Sequence, residues 1–276
     1  MIDWTRMAEP QSDGYDSRIL RMVGSSFFRP IQPCSQHVDF DGVELLGSMA
    51  NGRVAVIAIS ERLIKRTGFC RTSHTQDVYD NVSTVLSDWP EVVLTFDSSV
   101  IFVVDVAIDG EWSSKNSGSS STHLAEHLGA VFVTFYDPVG TACGCVHEMA
   151  HNKLMRLGVQ MESSHKLILN DPCELFVSPV RKDKPRPMQA IMHAVYSFIH
   201  VTELLLRHVD SDSQRLNRMH SDRLRRLHDN LLPALDCLKQ NVKTDMDGEL
   251  FMKAFFSWAD RVLEAALECS NKIPKL

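Results

Sequence analysis

Two histidines four residues apart, His147 and His151, stand in the stretch CGCVHEMAHNKL (143–154), with Glu148 directly after the first. On a helix, positions i and i+4 share a face, so both imidazoles can reach one metal ion. The pair alone leaves the chemistry open. Glu148 acting as general base on a metal-bound water would cut peptides. A redox-active metal would oxidise a substrate, and a closed site would only hold the fold together. A catalytic metal ordinarily takes a third protein ligand. His193 and His200 lie seven apart on a later helical segment, with Glu203 nearby, and Asp171 and Glu174 are closer in the chain. His193 is the expected third ligand, with Glu174 the main rival and His200 behind it. The longer metzincin form of the motif is absent, since the chain runs on as NKLMRLG.

A second passage, SPVRKDKPRPMQAIMHAVYSF (178–198), puts Arg181 and Arg186 in a proline-rigid segment directly before the helix of His193. A guanidinium held there suits a carboxylate gripped by two hydrogen bonds. A peptidase has little use for this. An oxygenase that chelates a 2-oxo acid on iron needs it, because the acid's far carboxylate must be anchored. Both arginines are candidates, Arg186 the first of the two because Pro185 and Pro187 fix its backbone.

Taken together, a strand leading into HExxH, an SP-x-R-x-D-x-RP-like segment and then H-[GA]-x-Y-x-F resemble the HExxH-type 2-oxoglutarate-dependent peptide β-hydroxylases, earlier described only as HExxH peptide-modification proteins. The similarity covers about residues 120–210, and the helical flanks more loosely. Val180 departs from the aromatic residue expected at its position, and Ala194 from the usual glycine. The resemblance implies Fe(II), 2-oxoglutarate and O₂ as cofactor and co-substrates, and a ribosomally made precursor peptide as the partner hydroxylated at a side-chain β-carbon. In such an enzyme Glu148 would orient ligands or substrate, and Tyr196 is either a hydrogen-bond donor to the co-substrate or simply a core aromatic with a polar tip. The alternatives are a zinc-dependent metallopeptidase with Glu148 as base and a peptide-binding protein without catalysis.

Elements must bring these residues together, and the pattern suggests an α+β protein with a zincin-like core: a small sheet, the HExxH helix, and predominantly helical N- and C-terminal parts. Periodicity predicts a short amphipathic piece over 18–28, two helices within 40–68 broken near Gly52, and a helix over 75–88 ended by Pro90. VVLTF (92–96) and VIFVVDVAI (100–108) read as the two strands of a hairpin. A polar loop (110–121) follows, then a strand within 129–138, the motif helix over 140–157, a short strand at 165–169, and helices over 188–208, 213–239 and 249–270. One catalytic domain over 1–276 is expected, with N-terminal helices and hairpin (1–110), a metal and co-substrate core (120–210) and C-terminal helices (211–276). His123 and His127 repeat the four-residue spacing but lack a nameable third partner. Cys143 and Cys145 read as small packing residues, and the charged run 214–230 as the solvated face of a helix.

Bulk properties narrow the class. A chain of 276 residues that is 44% hydrophobic can bury a sizeable core. A formal net charge of −6 offers no basic field for nucleic acid. The apolar runs are too short for a membrane span. Seven cysteines, an odd number, together with a start lacking a secretory pattern, fit a reducing cytoplasm. The oligomeric state stays open.

Overall fold

In the computed structural model, residues 1–27, 44–107, 119–121, 129–162, 164–177, 184–212 and 216–272 are described. Their architecture is mixed α/β, a small mixed sheet with eight α-helices among these residues. The sheet begins where helices were expected. β1 (Leu45–Met49) and β2 (Val54–Ala58) form an antiparallel hairpin. Between them Ala50, Asn51 and Gly52 all take positive φ (52°, 58° and 81°). Three left-handed residues in a row end any helix, and the β-branched residues of VAVIA then alternate between buried and half-buried along β2. Helical structure resumes only at α2 (Glu61–Thr67), capped by the Ser60 hydroxyl on the Leu63 amide and stopped at Gly68 with φ 74°.

A short β3 (Cys70–Arg71) leads to α3 (Gln76–Ser87), as expected, but VVLTF is not a strand. It lies within α4 (Pro90–Ser99), which Pro90 opens at the first helical position rather than closing α3. Val92, Thr95, Phe96 and Ser99 are buried, at the i, i+3, i+4, i+7 spacing of one helix face. β-Branched propensity loses here to burial against neighbouring helices. Among the described residues the expected hairpin is therefore replaced by α4 followed by a single strand, β4 (Phe102–Ala107).

β5 (Ser119–Ser121) and β6 (Ala130–Val133) complete the sheet in the order β1-β2-β4-β6-β5, with β3 on β4. The β2–β4 and β4–β6 pairs are parallel, and the β1–β2, β3–β4 and β5–β6 pairs antiparallel. The two-residue period sorts side chains to opposite faces. Val54, Val56, Val103, Val131 and Val133 join the main core, while Val104, Val106, Ala130 and Phe132 form a second cluster with Leu63 and Ile64 of α2. The rest is helical: α5 (Pro138–Arg156), α6 (Met188–Ser211), α7 (Arg218–Asn241) and α8 (Met246–Asn271), with a two-strand ribbon of β7 (Leu175–Phe176) and β8 (Arg186–Pro187) before α6. HKLIL reduces to one bridge, Ile168 with Thr244. α5 lies at the centre, against α6, α3, α4, β5, β6 and α1 (Tyr15–Phe27). The main core draws on residues from Trp4 to Cys269, so the first residues belong to it.

Candidate metal centre

α5 carries the motif and is bounded as its sequence dictates. Asp137 caps it through the Gly140 amide (2.6 Å), Pro138 fills the first turn, and Gly158 with φ 93° follows its end. Buried Val146, Met149, Ala150 and Leu154 seat it in the core. Asn152 locks it to the sheet: its Oδ1 accepts from the Gly129 amide before β6 (3.1 Å), and its Nδ2 donates to the Glu148 carbonyl.

His147 and His151 share the face that the spacing demands. Their Nε2 atoms lie 3.1 Å apart, with the rings edge to face at 84°. His193 comes to the same place from α6, its Nδ1 3.0 Å from Nδ1 of His151 and its Nε2 2.9 Å from the Val159 carbonyl oxygen. The three rings are thus assembled, but in a row: His193 meets the edge of His151 opposite to the one facing His147. Among the described residues no set of three or more His, Cys, Asp or Glu side chains is arranged to hold one ion. His147 is half-buried and packs on Phe198 (ring centroids 4.7 Å), while His151, Glu148 and His193 are buried. Burial holds the His147 imidazole below its ordinary pKa, with the Glu148 charge opposing in part. A neutral imidazole with a bare nitrogen is the form that ligates a metal.

The other candidates fall in different places. Tyr196 is fully buried among Phe251, Phe255 and Trp258, and its hydroxyl donates to the Ala8 carbonyl (2.7 Å). Of its two readings, the core aromatic is the one this geometry matches. His200 is wedged between Trp89 and Trp258, with Nδ1 on its own helix at the Tyr196 carbonyl. Burial first, and the Lys153 charge second, keep it well below its ordinary pKa. Glu174 is paired with Lys243 (2.8 Å), a contact that lowers its pKa, and Asp171 is exposed beside it. Neither carboxylate joins the histidines. Arg186 is half-buried in β8, opposite Phe176, where the chain turns into α6. Arg181, Val180, His123 and His127 lie outside the described residues. Cys143 and Cys145 are buried in α5, and burial pushes both thiols up, as packing residues should behave.

Sequence reasoning missed the supports. Val159 contributes only a carbonyl, which no side-chain pattern announces. Lys153, two residues after His151, is fully buried and paired with fully buried Asp16 of α1 (2.9 Å). Asp16 also accepts from Thr95 Oγ1 and the Gln11 amide. The one available signal was two polar residues, Asn152 and Lys153, on what must be the inner side of a core helix. A scan of protein-family models found no match to this chain, and neither did a search of curated proteins.

Proposed function

We propose that this protein is a Fe(II)- and 2-oxoglutarate-dependent oxygenase that hydroxylates the β-carbon of a side chain in a ribosomally made precursor peptide. The observation that carries the reading is the convergence of His147 Nε2 and His151 Nε2 on one helix face at 3.1 Å. The motif resemblance supplies the rest of its specificity. Two neutral imidazoles suit ferrous iron as well as zinc, and the depressed pKa of His147 keeps its nitrogen available near neutral pH. His147 and His151 would hold the ion, and the iron would supply the activation of O₂.

The chain's own residues set the conditions. Phe198 walls His147 and limits water beside it. Arg186, whose backbone is held by its neighbouring prolines and by pairing with Phe176 of β7, would hold the far carboxylate of 2-oxoglutarate in this reading. Glu148 acts as an orienting group rather than a base, because the reaction needs no deprotonated water. One oxygen atom ends in succinate and one in the peptide, with CO₂ released. The reading includes a zincin-like core, built from β6, α5 and the mixed sheet, in a single catalytic domain. It also places the protein in the cytoplasm, with no nucleic-acid or membrane partner. Among the described residues no helix is long and apolar enough to cross a membrane.

The test is turnover by pure protein with ferrous salt, 2-oxoglutarate, air and candidate precursor peptides. Succinate formation coupled to a peptide heavier by one oxygen atom is expected. Peptide cleavage with zinc and indifference to 2-oxoglutarate would replace this reading with the peptidase. Neither outcome with any peptide, together with no metal uptake, would leave only a binding role.

A further inference from the structure

The row of histidines has a direction, and a backbone carbonyl sets it. The Val159 oxygen can only accept, so His193 Nε2 at 2.9 Å carries the hydrogen. In the neutral ring His193 Nδ1 is then bare, and His151 Nδ1 at 3.0 Å must donate to it. That leaves His151 Nε2 bare, and this is the atom turned toward His147 Nε2. The two nitrogens of one imidazole point away from each other. An ion on His151 Nε2 therefore lies across the ring from His193. We infer that His193 is not a ligand of the metal but the positioning residue that fixes the tautomer and ring angle of His151, relaying the Val159 carbonyl to it.

This rests on the proposed metal site and goes beyond it. The arrangement matches what a ligating imidazole requires on its far side, an acceptor that holds its second N–H and raises its donor strength. The planes of His151 and His193 are 25° apart, and their centroids are 5.2 Å apart with the Nδ1 atoms at 3.0 Å, so the nitrogens lie between the two rings and the contact runs edge to edge, as a hydrogen bond between rings needs. His193 is fully buried in α6 while the pair sits on α5, so the relay also couples the metal to the packing of the two helices.

Zn(II), diamagnetic and content with imidazole, is the probe. In ¹⁵N-histidine-labelled protein loaded with Zn(II), the Nε2 signals of His147 and His151 should move to metal-bound positions, while His193 keeps a protonated Nε2 and an unmetallated Nδ1. Zn(II) affinity is then compared in His193→Gln and His193→Leu, with folding checked by circular dichroism. A glutamine amide can accept from His151 and donate to Val159, but it is a poor metal ligand. His193→Leu should lose about 10–100-fold in affinity, the usual effect of removing such a support, and His193→Gln should regain most of it. A metal-bound His193 nitrogen, or equal losses in both variants, or no loss in either, would overturn the inference while leaving the metal site standing. Absence of any histidine shift in the unmodified protein would instead remove the metal site itself.

Discussion

Glu148 separates the two enzymatic readings at the level of one residue. It is buried on the motif helix next to His147. As the base of a hydrolase it would be indispensable, and Glu148→Gln would cost roughly 10²–10⁴-fold in rate. As an orienting group in the oxygenase, Glu148→Gln is expected to keep turnover within about tenfold of the unmodified protein, because the amide preserves shape and hydrogen bonding. Succinate release with Fe(II) and peptide cleavage with Zn(II), each measured for both proteins, decide this. A second residue-scale prediction concerns Lys153 and Asp16, both fully buried. Asp16→Asn leaves the ammonium without its counter-charge and should cost about 3–5 kcal/mol. Adding Lys153→Met removes the stranded charge, so the double variant should recover most of that loss in urea unfolding.

Among the elements, α5 is held from several directions, and the N-terminal segment is one of them. Asp16 of α1 grips α5 through Lys153, and the Ala8 carbonyl grips α6 through Tyr196. A comparable polar tie joins β4 to α3 and the stretch before it. Buried Asp105 accepts from Thr72 Oγ1, from the backbone and ring of His74 and from the Tyr79 hydroxyl. Burial and the Asp105 charge push the Tyr79 phenol well up, so it stays a donor. The entry to α8 is fitted more tightly. Asp245 caps it through the Gly248 amide and also holds the Leu167 amide, so the 164–170 loop lies directly on the first turn. A methyl group at Gly248 would run into the Leu167 carbonyl. Gly248→Ala should therefore destabilise the protein by about 1–3 kcal/mol, although alanine favours helices in general. A thermal melt that rises instead would show that the loop is free to move away.

For the whole molecule, a buried neutral histidine makes stability depend on pH. His200 is fully buried with its pKa well below the ordinary value. In the unfolded chain it takes a proton near pH 6.5, roughly the ordinary histidine value, whereas the folded form refuses it. The unfolded state then binds more protons, so stability falls as pH drops below that point. The urea midpoint should decline between about pH 7 and 5.5, and less steeply in His200→Phe, given the ordinary histidine pKa. Equal slopes in the two proteins would mean that other groups set the acid limit. Zn(II) or Fe(II) should shift the midpoint upward, since an ion that binds only the folded pair stabilises it by mass action.

Local pattern determined a good deal of this protein. The four-residue spacing on a core-seated helix put His147 and His151 on one face, and the long periodic stretches after residue 188 became α6, α7 and α8. Helix geometry is set by neighbours a few residues away, so such features can be read directly. What only the tertiary structure decided depends on partners far along the chain. VVLTF became helix because its inner face met other helices, and residues 45–58 became a hairpin because three left-handed residues fold β2 back on β1, with β4 as the parallel neighbour on its other side. The sequence suggested His193 as a third ligand, whereas its contacts, Nδ1 on His151 and Nε2 on the Val159 carbonyl, depend on a backbone group whose position no residue type encodes.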